Sequence, residues 1–294
     1  MVMCFASSSE GYKKPRPVRF NASVFEQDLK FQRSATRQRR LVYVDIPGIA
    51  GDAICALAIS NNLTVNRRNK CFPQPRDQAL LSGSRAQQIE FLKSTTYDFV
   101  RHGEVLSSDA LRNTHVKYMT LLRNPYMQTM AHFRETKGDI HHADSFHHFR
   151  QWLQATPDNM QVRHICGTSC MNVPRGQLTR NHLKLAMRRL DKFTVLGIVE
   201  RMPEILQVAD IELGWTSYSP SSVMNTTEAQ QDENALQRYR SHDGMIQELV
   251  RMNVWDMALY HHVEYMMDLR VASIMGSDFA ATNANCTTPS CGRA

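Results

Sequence analysis

Short apolar runs alternate with helical segments along this chain, and that alternation constrains its fold more than any other feature. Leu41-Val42-Tyr43-Val44-Asp45-Ile46 is brief, rich in β-formers and stopped by Pro47-Gly48, as a buried strand entering a turn would be. Residues 53–60 follow with helical character, and Asp52 stands where an N-cap belongs. The same order recurs at 118–122, a strand closed by Arg123-Asn124-Pro125, where Pro125 suits the first turn of a helix over 126–136. It recurs at 193–199, with a helix over 203–213. Strands alternating with helices predict an α/β protein with a mainly parallel sheet, because parallel neighbours need crossover connections.

Around these units, residues 61–90 are polar and read as turns. Residues 146–154 and 178–190 read as amphipathic helices, the second with Leu183, Ala186, Met187 and Leu190 on one face. A polar connection spans 216–234, and helices near 235–252 and 254–274 close the fold, their methionines read as core. Residues 1–40 read as a basic, disordered arm, 41–275 as one domain with a helical C-terminal portion, and 276–294 as a small, polar, disordered tail. At 294 residues, 42% hydrophobic and 21% charged, the chain is long enough for a sizeable core and falls outside the wholly disordered, collagen-like and disulfide-miniprotein classes. No apolar run reaches the roughly 18 residues of a membrane span, and residues 1–40 lack the apolar centre of a signal peptide.

A formal net charge of +7 favours anionic partners, although a basic surface alone has the same charge. Among the 7 cysteines, Cys166 with Cys170 or Cys286 with Cys291 fits a disulfide; neither spacing has zinc-finger form. Sequons at Asn21, Asn62, Asn225 and Asn285 exceed the chance expectation and point to a lumenal protein. His141, His142, His147 and His148 are spaced to reach a shared metal, but no cysteine or carboxylate set completes a site. They read as solvated or glycan-facing, and His261 and His262 as packing or surface residues.

Two strand–helix junctions carry the chemistry. Ile46-Pro47-Gly48-Ile49-Ala50-Gly51-Asp52 sits where backbone N–H groups and a helix N-terminus favour an anion, or where an ordinary strand–helix turn would sit. It lacks the Gly-Lys-Ser/Thr of a Walker A loop, which argues against a nucleotide kinase. In Leu121-Leu122-Arg123-Asn124-Pro125-Tyr126, Arg123 ends a strand before a helix, placed to pair with a phosphate or with a structural carboxylate. Together they resemble the Golgi-type carbohydrate sulfotransferases, the heparan-sulfate 2-O-sulfotransferase-like group above all. That family reads Ile-Pro-Lys-Thr-Gly-Gly-Thr after its first strand and Leu-Arg-Asp-Pro before a later helix. Leu122-Arg123-Asn124-Pro125 and His132-Phe133 resemble the second motif. Arg163-His164-Ile165-Cys166-Gly167, the helix at 178–190, the run from Phe193 to Arg201, Trp255-Asp256 and Leu259-Tyr260 resemble the family's later segments, so the likeness spans 41–270.

The resemblance implies a P-loop-like sulfotransferase fold with a mainly parallel sheet flanked by helices. It implies transfer of a sulfuryl group from 3′-phosphoadenosine 5′-phosphosulfate to a glycan or proteoglycan hydroxyl, in the Golgi lumen or at its membrane, with no metal and no nucleic-acid partner. Gly48, Ile49, Ala50, Gly51 and Asp52 would hold the 5′-phosphosulfate, and Arg123 with the Ala131 position the 3′-phosphate. Arg101-His102-Gly103-Glu104-Val105 resembles the family's His-Gly-His stretch. This makes Glu104 the acceptor base and His102 its neighbouring alternative; a solvated loop carboxylate is the other reading of Glu104. The family's loop lysine falls on Gly48, its loop hydroxyl on Asp52 and its 3′-phosphate serine on Ala131. The nucleotide site therefore reads as eroded, and an inactive relative that binds an acidic glycan or a protein partner is the alternative. Lys70, Arg67 and Arg68 are the nearest substitute cations, and restoring the lysine by Gly48→Lys is expected to raise transfer.

Overall fold

The computed structural model describes residues 40–106, 111, 116–137, 145–217, 232–234, 236–237 and 244–275. The expected arm, apart from Arg40, the expected tail and most of the 216–234 connection lie outside the described residues.

The strands are β1 (Arg40–Val44), β2 (Phe99–His102), β3 (Val116–Leu122) and β4 (Val195–Ile198). They form a 4-stranded sheet in the order β2-β1-β3-β4. All pairings are parallel, with Val44 opposite His102 and Thr120, and Leu122 opposite Ile198. A parallel sheet covered on both faces requires near-continuous apolar strands, and every residue of β3 is buried. Even Lys117 is accommodated there, its ammonium donating to the Glu212 carbonyl at 2.6 Å. The chain from β1 proceeds to β2 on one side, and the chain from β3 to β4 on the other. The crevice beyond the carboxyl ends of β1 and β3 is thus the switch point at which open α/β sheets hold ligands.

The helices that bear on the site are α1 (Gly51–Ser60), α2 (Pro75–Ser82), α3 (Arg85–Ser94), α4 (Pro125–Lys137) and α5 (Ser145–Ala155). Then come α6 (Met160–Cys166), the short α7 (Thr168–Met171) and α8 (Arg180–Leu190). Last are α9 (Met202–Leu213), α10 (Met245–Met252) and α11 (Val254–Met275). Among the described residues no helix is long and apolar enough to cross a membrane. Gly197 of β4 lets two helices close on the sheet: a Cβ there would strike Ile205 of α9 and lie 3.4 Å from the Met267 sulfur of α11.

Three local expectations are corrected and one strand is added. Residues 61–90 contain α2 and α3: Pro75 opens α2, and a Ser84–Gln87 capping box opens α3. Residues 99–102, to which the sequence assigns no element, form an edge strand. Asp52 does not cap α1, which begins at Gly51 with Ala50 at its N-cap; Asp52 lies in the first turn. The helix expected over 235–252 is broken at Gly244, whose φ of +80° cannot continue a helix, and α10 starts after it.

Reciprocal caps tie α11 to α6, and a buried arginine braces the turn that follows α6. Asn159 Oδ1 accepts the backbone N–H groups of Trp255 and Asp256 at 2.8 and 3.1 Å, and Asp256 accepts those of Val162 and Gln161 at 2.7 and 3.1 Å. Each of α6 and α11 thereby satisfies orphan donors at the start of the other. Arg163 is fully buried and donates to the carbonyls of Asp158, Cys170 and Val173 while pairing with the Asp158 carboxylate. Cys166 and Cys170 form a disulfide beside it, one of the two pairs open from sequence. A second disulfide, Cys55–Cys71, spans 5.8 Å between Cα atoms and was not read from the sequence.

Candidate functional site

The loop after β1 turns at Pro47-Gly48, against α4. Gly48 has φ +78°, and a Cβ there would lie 2.7 Å from the Gln128 carbonyl oxygen and 3.0 Å from the His132 nitrogen, both backbone atoms. The Gln128 side chain donates to the Pro47 carbonyl at 2.7 Å and fixes the contact. The position therefore demands glycine on two independent grounds. This overturns the expectation for Gly48→Lys: the loop cannot take a lysine without moving α4.

The loop is satisfied from within the chain. Glu135, on α4, accepts the Gly48 N–H at 3.1 Å. Burial raises the Glu135 pKa, with that hydrogen bond and the nearby Arg134 and Arg101 opposing it. Ile49 is buried in the core and Ala50 is half-buried against it, so of these two only the backbone is available to a ligand.

Over the start of α1 lies an ion cluster. Arg101 of β2 donates from Nε to Asp45 at 2.8 Å and from Nη1 to Asp52, with its guanidinium 4.4 Å from the centre of the Phe72 ring. Lys70 does fold back, its ammonium 2.9 Å from Asp52. Burial opposes ionisation of Asp52, but hydrogen bonds from Lys70 and Arg101 outweigh it and lower its pKa. Asp45 is more deeply buried, and desolvation pushes its pKa up to about 6 despite Arg101. A Cβ on Gly51 would strike both the Arg101 guanidinium and the Asp45 carboxylate. That pair fills the space over the helix amino end, which would otherwise face an anion.

Arg123 leaves the end of β3. Its Nη1 donates to the Gly48 carbonyl at 3.2 Å, linking the two junctions, and its Nη2 lies 3.2 Å from Asp232. Arg134 pairs with the other oxygen of the same carboxylate at 3.1 Å. The Asp232 side chain has no exposure, and Arg123 and Arg134 have 12% and 19%. Ala131 is buried in α4 and contributes no polar group.

The two expected base candidates separate. Glu104 is exposed just past the carboxyl end of β2, the end of the sheet that carries the Gly48 loop. His102 is fully buried within β2, and desolvation drops its pKa to about 4. The reading of His102 as an alternative base is corrected: sealed in the sheet, it cannot meet an acceptor hydroxyl. His132, against Gly48, is a histidine of the site not weighed from the sequence; its ring stands edge-on to Trp152 at 5.3 Å, and burial lowers its pKa. His147 and His148 are exposed on α5, while His141 and His142 lie outside the described residues.

The structure thus brings Gly48, Gly51, Asp52 and Arg123 together and adds Asp45, Lys70, Arg101, Arg134, Glu135 and Asp232. Sequence reasoning missed Glu135, Arg134 and Asp232 because each acts through a partner remote in the chain. Their one local signal is the Arg134-Glu135 pair immediately after His132-Phe133. No protein-family profile, curated protein or solved structure matches the chain.

Proposed function

We propose that the chain is a glycan O-sulfotransferase that uses 3′-phosphoadenosine 5′-phosphosulfate as donor. The observation that carries this reading is the juncture of Gly48 and Arg123: an amide-bearing tight turn and a guanidinium, 3.2 Å apart, at the switch point of a parallel sheet. The residues suit the donor's 3′-phosphate end best, where Arg123 and Arg134 converge. At the 5′ end the available cations are Arg101 and Lys70, each already tied to a carboxylate. The donor supplies an activated sulfuryl group. Glu104, open to solvent, takes the proton of the acceptor hydroxyl as that oxygen bonds to sulfur and the bond to the 5′-phosphate breaks. Arg101 and Lys70 offset the charge left on the phosphate.

Two disulfides and an exposed sequon at Asn62 favour a lumenal site of action, because disulfides persist in oxidising compartments. The Golgi assignment rests on the resemblance alone.

A second reading, a non-catalytic relative, is favoured by the carboxylates Glu135, Asp45, Asp52 and Asp232 that already hold the site's donors. Calorimetry with 3′-phosphoadenosine 5′-phosphate, followed by transfer of labelled sulfate to a panel of glycans, decides between them. The enzyme reading expects nucleotide binding that falls roughly tenfold or more in Arg123→Ala, the scale of a charge-assisted hydrogen bond. Adenosine 5′-phosphosulfate, which lacks the 3′-phosphate, should be indifferent to the change. Binding without transfer, or no binding at all, removes the enzyme reading and supports the non-catalytic relative.

A further inference from the structure

Away from the two strand–helix junctions, α8 carries a row of cations that the rest of the chain leaves unpaired. Its sequence, Arg-Asn-His-Leu-Lys-Leu-Ala-Met-Arg-Arg-Leu, holds no acidic residue. Leu183, Ala186 and Leu190 are buried on its inner side. Arg180, Lys184 and Arg188 recur at i, i+4 and i+8 and are exposed on the opposite side, and Lys192 is exposed in the turn that follows. At 1.5 Å of rise per residue, successive cations of the row stand about 6 Å apart along the helix. Among the described residues none of the four has an ion pair, whereas Lys70, Arg76 and Arg251 each have a carboxylate partner. The nearest acid in sequence, Asp191, stands at the C-cap and acts on His262 of α11. An open cavity of about 440 Å³ lies along the row, lined by Asn181, Lys184, Met187 and Arg188.

This arrangement works against the stability of the helix. Like charges at i and i+4 repel, and a face that serves solvation alone relieves the repulsion with interleaved carboxylates. Arg180, in the first turn, also opposes the helix macrodipole. The helix is anchored in spite of both: Trp255 Nε1 donates to the Leu178 carbonyl at 3.0 Å just before it, and Arg189 on its inner side donates to the Leu106 carbonyl at 2.7 Å. Cations held in a row on an anchored helix suit a partner whose anions also recur along a line, because a preorganised surface loses little freedom on binding. Nucleic acid and acidic polysaccharide both have that form. The two disulfides favour the polysaccharide, since disulfides persist in the oxidising compartments and extracellular spaces where such chains are the prevailing linear polyanions. We infer that the outer face of α8 docks an acidic polysaccharide, its sulfate or carboxylate groups lying on Arg180, Lys184, Arg188 and Lys192. The inference uses neither a nucleotide nor Arg123, and it stands whether or not the chain transfers sulfate.

The test compares wild type, Lys184→Gln combined with Arg188→Gln, and a control of equal charge, Arg76→Gln combined with Arg251→Gln, all in the full chain. The basic segment before residue 40 is common to the three proteins, so differences report the substituted positions. The probe is labelled heparin, read by fluorescence anisotropy at several salt concentrations, with single-stranded DNA and phosphatidylserine vesicles as competitors at matched anionic charge. At about 0.15 M salt the α8 variant is expected to lose about tenfold in heparin affinity, and its slope of log affinity against log salt to fall by about two, roughly one for each cation removed. The control is expected to lose less than about twofold and to keep the slope of wild type. The α8 variant should melt at or above the temperature of wild type, because like-charge contacts have been relieved. If it melts well below, Arg188→Gln alone carries the test, with about half the change in slope. Equal losses in the α8 variant and the control would make the effect one of net charge and overturn the inference. So would a wild type that does not bind heparin, or one from which the DNA or the vesicles displace heparin more readily than unlabelled heparin does. Calorimetry with 3′-phosphoadenosine 5′-phosphate should not distinguish the α8 variant from wild type, so failure here leaves the sulfotransferase reading where it was.

Discussion

Gly48 and Gly214 offer a controlled comparison, because the two share a positive φ and differ in surroundings. Their φ angles are +78° and +70°, so alanine at either must adopt the left-handed region, at roughly 1–2 kcal/mol. At Gly214 nothing lies within 4 Å of the added Cβ, and that conformational cost is the whole effect. At Gly48 the Cβ meets the Gln128 carbonyl oxygen at 2.7 Å and the His132 nitrogen at 3.0 Å. Both belong to the backbone of a hydrogen-bonded helix that cannot rotate aside, so overpacking adds about 1–3 kcal/mol. Gly48→Ala is therefore expected to lose about 2–5 kcal/mol in total, and Gly214→Ala about 1–2. Urea unfolding followed by tryptophan fluorescence reads both, with the slope on denaturant unchanged if only stability has moved. Losses equal within about 0.5 kcal/mol would show that the loop does not press on α4, and the steric case against a lysine at 48 would go with it.

Two further outcomes follow from burial and cross-linking. His102 keeps a pKa of about 4 in the folded chain against an ordinary value near 6.5, so the unfolded chain binds more protons between those limits and stability drops as pH falls through that window, by about 3 kcal/mol in all. Asp45, raised to about 6, and Asp256, raised to about 7, have the opposite sign and lower stability as pH rises from about 4. The difference between wild type and His102→Gln isolates the histidine: the variant should gain on wild type from pH 7 to pH 4, and a constant difference in urea unfolding would refute the assignment. The Cys55–Cys71 bridge, at a sequence separation of 16, restrains the unfolded chain by about 3 kcal/mol. Replacing both cysteines with alanine should cost that much in the same assay and should loosen the turn that brings Lys70 to Asp52; an unchanged midpoint would count against it.

The parallel sheet was legible because its strands obey a local rule. β1, β3 and β4 are apolar enough on both faces to stand out, and each stops at a recognisable turn. β2 escaped because it is only four residues long and half of it, Arg101 and His102, is polar. Its place is fixed from outside, by pairing with β1 and by Arg101 reaching Asp45 and Asp52. The helices α2 and α3 escaped for a related reason. Polar residues surround their apolar ones, and caps rather than periodicity mark their starts: Pro75 for the first, Ser84 with Gln87 for the second.

The site divides along the same line. Gly48 and Arg123 were found because a turn after a strand and an arginine before a helix are local signatures. Their charge environment was not, since it is assembled from β2, the Lys70 turn, the end of α4 and Asp232. The erosion inferred at Gly48 also changes meaning. In sequence, a glycine at the lysine position reads as loss of a catalytic charge. In the structure the same glycine is what allows the loop to close on α4, and closure is what brings Glu135 to its N–H and its carbonyl to Arg123. The glycine at 48 and the Glu135 carboxylate on its N–H are then two sides of one packing choice. A chain that brings its loop this close to α4 has no room for a lysine there, and the proposed transfer then draws its positive charge from Arg101 and Lys70 instead.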